Sequence, residues 1–502
     1  MISPRDTAVS VLWNYAGKFA DAAGFYIVGI IVAHSVGVRE YSLYALALSG
    51  MRMVVALSAM GLEVALNKFI PGLARGGKTG AIRFLVQRVV VMRILLATVL
   101  SLGVLVLMDR TVTFAGMPFG LLGFSIFAIG RSVVPLLGMS MVAQLRTKIP
   151  SVIMTIVRIA EIALIGWLSY AGSSVQIYIL ALAGSSLAHA VALAVWLRPS
   201  LFGPADSLPL KPVLAFGGVF SINVVVDFVL SRYGDVMLMG VLVLDKAQVS
   251  LYEIGAGLVY AAGLVLTTGM AGVNLALFSE IADSGNDPFP RMRELYHAVV
   301  RVVSALTIPV LVFLLVDAAS VIHVIYSDQF SGAAVIVQSL AAVRIAARLF
   351  GGGENTDALL ALGKVGTVSG IGIASAVVNL VGDVLLLPVY GAIGAVVATS
   401  TAYLLVTLGT FLAVRKHLRV RLQTGPFVRF LAGPLVGAVA VLLMPQRSTL
   451  SALSIHLTLF VLSTVAVWMI TKPLMPSDII LAQRTHRSVA MVLQVFSPRG
   501  GQ

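Results

Sequence analysis

The sequence has no cysteine and very little charge. Without cysteine the chain can form neither disulfides nor thiolate ligands, so no thiol chemistry is available to it. Only 11% of its 502 residues are charged, whereas 59% are hydrophobic. Soluble domains usually carry about 25% charged residues. These shortages exclude a soluble domain as the main part of the chain and indicate a polytopic membrane protein.

Signatures of nucleotide hydrolysis are also missing. The run Gly351-Gly352-Gly353 is not followed by Gly-Lys-Ser/Thr, and no Walker motif occurs elsewhere. The external connections between apolar segments are all short, whereas general acid–base chemistry would normally need a sizeable external loop that holds positioned acids and bases. We therefore expect no catalytic residues, cofactor or metal, and we interpret the chain as a transporter. A membrane polymerase or ligase acting on lipid-linked sugars is the alternative from a different class.

Acidic residues are scarce relative to basic ones, 21 against 35, which gives a formal net charge of +14. Short cytoplasmic loops of membrane proteins retain Lys and Arg. If the N-terminus is cytoplasmic, the predicted cytoplasmic connections hold many more basic residues than the external ones: Lys68, Arg75, Lys78, Arg83, Arg146, Lys148, Arg198, Lys211, Arg291, Arg293, Arg415, Lys416, Arg419 and Arg421. The basicity is then explained by topology, with both termini cytoplasmic, and we expect no nucleic-acid partner.

Long apolar segments make up most of the sequence. A spanning helix needs about 20 apolar residues, and about fourteen such segments can be recognised. We place them at Val11–Val36, Tyr41–Leu66, Val89–Met108, Gly120–Ala143, Pro150–Tyr170, Gln176–Leu197, Val213–Leu244, Val249–Phe278, Tyr296–Val316, Ala333–Gly353, Val365–Leu387, Ile393–Val414, Phe427–Met444 and Ser451–Thr471. The predicted fold class is an all-α polytopic membrane protein.

The spacing of the segments predicts two lobes of six helices each. We assign residues 1–205 and 206–420 to the lobes, 421–475 to two additional spans and 476–502 to a basic cytoplasmic tail. An internal echo supports this division, because Ser42-Leu43-Tyr44 recurs as Ser250-Leu251-Tyr252, and the same shift carries Gly61-Leu62 onto Gly269-Met270. Six spans separate the two copies, so the repeats would be parallel and would enclose a central cavity.

Fixed charges interrupt the apolar segments of the first lobe near their middle. A charge at mid-bilayer costs about 3 kcal/mol even on insertion scales, so such residues usually face a bundle interior or a wet cavity. Cations outnumber anions by two here, which favours an anionic cargo. The residues are Lys18, Asp21, Arg52, Arg131, Arg158 and Glu161.

Two of these acids lie three residues from a base, so Lys18 with Asp21 and Arg158 with Glu161 could be intrahelical pairs that only neutralise one another. Arg52 and Arg131 have no acidic neighbour within a helical turn. We predict that those two line a cavity. Because Arg52 and Glu63 are spaced by whole helical turns, we expect them to share one helix face.

The second lobe offers two further candidates. A polar stripe, Asn223, Asp227, Ser231 and Asp235, repeats every four residues along one predicted helix, where it could bind sugar hydroxyls or make interhelical hydrogen bonds. Arg344 and Arg348 form a basic pair one turn apart, of which we expect Arg344 to face the cavity and Arg348 to snorkel. For binding we select Asp227 and Arg344, and we interpret His189 as a packing residue.

Several stretches resemble the Wzx-type polysaccharide and oligosaccharide-lipid flippases of the multidrug/oligosaccharidyl-lipid/polysaccharide (MOP) exporter superfamily. Together they cover about residues 10–415. The stretches are Gly37-Val38-Arg39-Glu40-Tyr41-Ser42-Leu43-Tyr44, Gly61-Leu62-Glu63-Val64-Ala65, Arg232-Tyr233-Gly234-Asp235, Val324-Ile325-Tyr326-Ser327-Asp328-Gln329-Phe330, Val377-Val378-Asn379-Leu380 and Leu387-Pro388-Val389-Tyr390-Gly391-Ala392-Ile393-Gly394-Ala395-Val396-Val397-Ala398-Thr399. Asp383 departs from the pattern, which puts a coupling-ion role for that region in doubt.

The resemblance implies a flippase of the bacterial inner membrane. It would move undecaprenyl-diphosphate-linked oligosaccharide units from the cytoplasmic to the periplasmic leaflet by alternating access, for exopolysaccharide, capsule or O-antigen, alongside a polysaccharide polymerase and export machinery. Arginine suits a diphosphate because its planar fork offers paired hydrogen bonds. A lipid II flippase of the same superfamily is the nearest alternative. A multidrug/cation antiporter fits less well, because the first lobe is net basic.

Overall fold

The computed structural model describes residues 4–109, 118–144, 146–243, 245–267, 271–283, 287–445 and 449–475, together with Asp478 and Phe496. Across these residues the regular structure is helical, with 19 α-helices. Thirteen helical segments in the described ranges are long and apolar enough to span a membrane. The predicted all-α polytopic fold class is confirmed.

Contacts divide the chain into two compact units, residues 1–250 and 251–502. The helices of the first unit are α1 Pro4–Ser35, α2 Val38–Ala59, α3 Leu62–Arg75, α4 Thr79–Asp109, α5 Pro118–Val142, α6 Lys148–Tyr170, α7 Val175–Trp196, α8 Arg198–Leu201, α9 Lys211–Val229 and α10 Arg232–Leu242. Helix α11, Ala247–Thr267, begins in the first unit and continues into the second. The second unit then contains α12 Ala271–Ala282, α13 Phe289–Tyr326, α14 Ala333–Ala347, α15 Gly353–Ala361, α16 Val365–Tyr390, α17 Ala392–Leu418, α18 Thr424–Leu442 and α19 Leu450–Thr471.

Thirteen of the predicted segments correspond to these spans. The remaining one, Val249–Phe278, corresponds to α11 and α12, and residues 268–270 between them lie outside the described residues. The same gap contains the Gly269-Met270 half of the internal echo. The contact division falls at residue 250, so α9 and α10 belong to the first unit. The lobe boundaries at 205 and 420 stay predictions, and of the tail 476–502 only Asp478 and Phe496 are described.

One predicted span is broken within its apolar sequence, between α2 and α3. Met60 and Gly61 both adopt left-handed backbone conformations, with φ of 43° and 63°. A side chain at Gly61 would lie 2.1 Å from the carbonyl oxygen of Gly217 on α9, so only glycine allows this close approach. The expectation that Arg52 and Glu63 share a continuous helix face is therefore wrong.

A second break corrects the predicted polar stripe. Helix α9 ends at Val229, and Ser231 is extended, with ψ of 154°, before α10 begins at Arg232. The four polar residues of the stripe therefore do not follow one long helix. Asp227 is exposed on α9, whereas Asp235 is fully buried on α10.

Close helix packing organises the first unit. Helix α1 packs along α6, where a side chain at Gly17 would lie 2.8 Å from Ser151 Oγ and one at Gly24 would lie 3.0 Å from Arg158 Cδ. Helix α5 packs along α7, where a side chain at Gly130 would lie 2.5 Å from Ser186 Oγ. Small residues allow membrane helices to approach this closely. These contacts fix α1, α5, α6 and α7, which supply most of the candidate site.

Buried ion pairs stabilise the second unit. Arg348 donates to Glu354 at 2.7 Å, to Ser304 Oγ at 3.1 Å and to the Val300 carbonyl at 3.3 Å. Its side chain is 7% exposed, so the expectation that Arg348 snorkels is wrong. Arg301 is likewise bound to Asp478, at 2.7 Å. Each of these arginines has a carboxylate partner of its own.

Candidate cationic site

A cavity of about 290 Å³ lies among α1, α2, α5, α6 and α7 of the first unit. Its polar lining contains Lys18, Asp21, Arg52, Arg131 and His189. The remaining lining is mostly small and apolar, and includes Gly17, Gly138, Val55, Val134 and Met154. Sequence reasoning thus selected Lys18, Asp21, Arg52 and Arg131, which are the charged residues of this lining. His189 was interpreted as packing, but it lines the cavity as well.

Asp21 is the carboxylate in the lining of this cavity. Its Oδ1 atom accepts from Arg158 Nε at 2.9 Å and, more weakly, from Arg131 Nη2 at 3.4 Å. Arg158 Nη2 also donates to the same oxygen. The acid on α1 therefore pairs with α5 and α6, and the alternative of an intrahelical Lys18–Asp21 pair is not observed. Lys18 is exposed and has no carboxylate within ion-pair distance among the described residues.

Arg158 has a second acidic partner, as the intrahelical alternative predicted. Its Nη1 donates to Glu161, whose other carboxylate oxygen accepts from Ser185 on α7. Both side chains of this pair are about 5% exposed. Arg158 and Glu161 line a much smaller space beside Phe25 and not the cavity itself. Arg158 is connected to the cavity through its ion pair with Asp21. Burial of this kind makes the Arg158–Glu161 pair structurally important, because removal of one partner would leave a buried charge.

Arg52 reaches the cavity from α2 without an acidic partner in the part of the chain that the structure describes. Its guanidinium lies over the rings of Phe25 and Tyr233, at 5.3 and 5.2 Å from their centroids. The Nε atom is buried and makes no hydrogen bond to the described residues. Cation–π contacts orient a guanidinium without using its in-plane N–H donors. Arg52 is therefore held in place with its hydrogen-bonding capacity largely unused.

Sequence reasoning missed two arginines that support this arrangement. Arg232 on α10 is buried and donates to the hydroxyls of Tyr26 and Tyr233, both at 3.0 Å. It therefore fixes the tyrosine on which Arg52 lies. The stretch that resembles the flippase family contains Arg232, and this residue also interrupts the predicted segment Val213–Leu244 near its middle, so the signal was present in the sequence.

Arg93 on α4 is fully buried and spans the break between α2 and α3. It donates to the carbonyls of Ser132 and Val55, at 3.0 and 3.1 Å, and pairs with Glu63 at 3.1 Å. A broken helix leaves carbonyl groups without helical partners, so a buried donor at this point stabilises the break. The signal was present in the sequence, since Arg93 interrupts an apolar segment as Arg131 does.

Two selected residues lie elsewhere. Asp227 is exposed on α9 and does not line the cavity. Arg344 lies on α14 in the second unit, between the rings of Tyr260 and Tyr403, at 4.5 and 4.7 Å from their centroids. Like Arg52, it is held by two aromatic rings and has no ion pair to a described carboxylate. No cluster of metal-ligating side chains occurs in the ranges that were described.

Comparison with protein families places the chain in one of them. The family described as "Polysaccharide biosynthesis protein" matches residues 31–335, more than half of the chain. The chain therefore belongs to the polysaccharide biosynthesis protein family. No curated protein matches it.

Several solved structures, a flippase and transporters among them, share the fold of this chain. The lipid II flippase MurJ in an inward closed conformation aligns with a TM-score of 0.67 at 14% identity, over 92% of this chain and 98% of that chain. An inward-facing MATE-family multidrug resistance transporter of the MOP superfamily aligns with a TM-score of 0.63 at 14% identity, over 81% and 94%. A MOP superfamily transporter from Pyrococcus furiosus, whose binding pocket is described as having reverse polarity, aligns with a TM-score of 0.52 at 13% identity, over 82% and 94%.

Proposed function

We propose that this protein is a Wzx-type flippase that moves undecaprenyl-diphosphate-linked oligosaccharide units across the bacterial inner membrane. The observation that carries the proposal is the cationic cavity. Lys18, Arg52 and Arg131 line it with Asp21 as the acidic residue in the lining, and Arg158 and Glu161 behind it leave a surplus of two positive charges. A diphosphate could shed its hydration there, because guanidinium groups replace the lost hydrogen bonds.

The residues that line the cavity support loading from the cytoplasmic side. Besides the mid-helix arginines, the cavity contacts Val142 at the end of α5 and Pro150 and Ser151 at the start of α6. The connection between those helices contains Arg146, which the distribution of basic residues assigns to the cytoplasmic side. The cavity therefore extends from the middle of the span toward the predicted cytoplasmic surface, where the lipid-linked sugar is made.

The lobes would expose the site alternately to the two leaflets. Membership of the polysaccharide biosynthesis family supports a lipid-linked sugar as the cargo. Both termini would be cytoplasmic, and a polymerase and export machinery would take the product on the periplasmic side.

A lipid II flippase is the second candidate, favoured by the likeness to MurJ over 92% of this chain. Lipid II also carries an undecaprenyl diphosphate, so the same cavity would bind its head group. A multidrug/cation antiporter is less compatible, because a surplus of positive charge repels cationic drugs. An enzyme is disfavoured because Asp21, the carboxylate of the lining, is bound to Arg158 and Arg131 and makes no hydrogen bond to His189, so the described lining offers no positioned acid–base pair.

A deletion strain tests the proposal directly. We expect loss of surface or secreted polysaccharide and accumulation of lipid-linked oligosaccharide in the inner leaflet, both reversed by the plasmid-borne gene. Normal polysaccharide with accumulated cell-wall precursor would support the lipid II alternative instead. If neither lipid intermediate accumulates and drug sensitivity rises, both flippase assignments are wrong.

A further inference from the structure

The two carboxylates near the cationic cavity differ in how firmly they are held. Glu161 uses both oxygens, for Arg158 and for Ser185, and its side chain is 5% exposed. Asp21 makes its hydrogen bonds to described residues through Oδ1 alone, and its side chain is 32% exposed. Glu161 is thus built into the helix packing, whereas Asp21 faces the cavity.

The donors that converge on Asp21 match an anion of several oxygens better than a single carboxylate oxygen. Nε and Nη2 of Arg158 and Nη2 of Arg131 all point to Oδ1. The Arg131 contact, at 3.4 Å, is long for a charge-assisted hydrogen bond, which is usually about 2.8 Å. Asp21 Oδ1 therefore accepts from two guanidinium groups, and its hydrogen bond from Arg131 is weak.

We propose that Asp21 is a displaceable internal anion: it occupies the arginine donors in the empty site, and the substrate's diphosphate replaces it. This inference rests on the proposed function and concerns the regulation of the same site. When Asp21 leaves, Arg158 keeps Glu161 as a partner through Nη1, so its charge is not stranded. Arg131 and the two freed donors of Arg158 then become available to the diphosphate oxygens.

The arrangement has a consequence for turnover. Because the aspartate competes with the diphosphate, it weakens substrate binding, and it can return to the arginines when the substrate leaves. A site of four cations with no such competitor would bind a diphosphate tightly and release it slowly. Asp21 therefore lowers the affinity of the site for the diphosphate and speeds the release of the substrate.

Binding of undecaprenyl diphosphate to the purified protein in lipid nanodiscs tests the proposal. We expect Asp21→Asn to bind the lipid about tenfold more tightly than the wild type, which corresponds to about 1.4 kcal/mol. Glu40→Gln, which removes an exposed carboxylate at the start of α2, is the matched control and should bind as the wild type does.

Asp21→Cys provides a second variant, whose lipid binding is compared before and after chemical modification of the same folded protein. The modification is specific, since the chain contains no other cysteine. Before labelling, Asp21→Cys should bind the lipid as tightly as Asp21→Asn. Modification by a sulfonate-bearing methanethiosulfonate restores an anion and should weaken binding toward the wild-type value. A neutral methanethiosulfonate of similar size should leave binding tight.

Three outcomes would overturn the proposal. Equal or weaker lipid binding by Asp21→Asn, with a wild type that binds, would disprove displacement while the proposed function stands. Tightening for inorganic pyrophosphate alone would show that the site takes a solution anion. Absence of lipid binding in every variant would contradict the proposed function itself.

Discussion

The arginines around the cavity of the first unit and two buried arginines of the second unit are satisfied in different ways. In the second unit Arg348 and Arg301 each have their own carboxylate, Glu354 and Asp478, and little of either side chain is exposed. In the first unit Arg131 and Arg158 share Asp21, and Arg52 has no acidic partner among the described residues. A fully paired arginine stabilises packing, and one with unused donors can bind a ligand. The contrast distinguishes arginines that stabilise the fold from arginines whose donors are available to a ligand.

The largest effect should come from a fully paired arginine. We expect Arg348→Ala to destabilise the fold by about 3–5 kcal/mol, because Glu354 is left as an uncompensated buried charge. Thermal unfolding in detergent and abundance in membranes would measure the loss. The double variant Arg348→Met/Glu354→Gln should recover most of it, and failure to recover would mean that the pair does more than neutralise charge.

Arg52→Ala should have the opposite effect, because it should reduce export and leave the stability of the fold nearly unchanged. Loss of two cation–π contacts is offset by removal of an unpaired cation, so we expect near-normal abundance. Polysaccharide export should fall at least tenfold, because the diphosphate loses a hydrogen-bond donor that the protein does not use. Export by the deletion strain carrying each variant, normalised to membrane abundance, is the readout.

Arg88 offers a matched control for that experiment. It also lies over an aromatic ring, Phe84, at 5.3 Å, but it is exposed and does not line the cavity. Arg88→Ala should therefore export normally. Equal export losses in both variants would show that any stacked arginine in this unit is needed, and the contrast between structural and binding arginines would fail.

Arg52→Lys sharpens the comparison by keeping the charge and removing the planar fork. Lysine provides a point charge without paired donors and stacks less well on Phe25 and Tyr233. We expect export to fall about threefold to fivefold, between the wild type and Arg52→Ala. Normal export in this variant would mean that charge alone matters and that bidentate recognition does not.

The smallest effect on export should come from a change at Tyr233, whose ring lies beneath Arg52. Tyr233→Phe keeps the ring beneath Arg52 but removes the hydroxyl that accepts from Arg232 at 3.0 Å. A lost hydrogen bond to a buried charged donor costs about 1.5–3 kcal/mol of stability. We expect a lower melting temperature with export reduced less than twofold, whereas Tyr233→Leu should also reduce export. Identical export by both variants would show that the ring does not position Arg52.

The membrane class and the charged residues of the cavity lining could be predicted from the sequence. A charge inside an apolar segment is visible without any knowledge of contacts, which is why Lys18, Asp21, Arg52 and Arg131 could be selected as candidates, and all four line the cavity. The same signal was present at Arg93 and was overlooked.

The choice of partners could not be predicted. Sequence spacing suggests neighbours on one helix, such as Lys18 and Asp21, but Asp21 instead pairs with arginines more than 100 positions away. That choice depends on how closely α1 approaches α6, which glycines such as Gly24 permit. The helix breaks were also missed, because left-handed Met60 carries no turn signature and the adjacent Gly61 is one of many glycines.

Transport in proteoliposomes tests the central claim most directly. Purified wild type and Arg52→Ala would be reconstituted at equal density, and the translocation of an undecaprenyl-diphosphate-linked oligosaccharide would be followed by its accessibility at the outer leaflet. The account predicts rapid translocation by the wild type and a rate at least tenfold lower for Arg52→Ala. Equal rates for the two proteins would contradict the assignment of the cationic cavity as the substrate site.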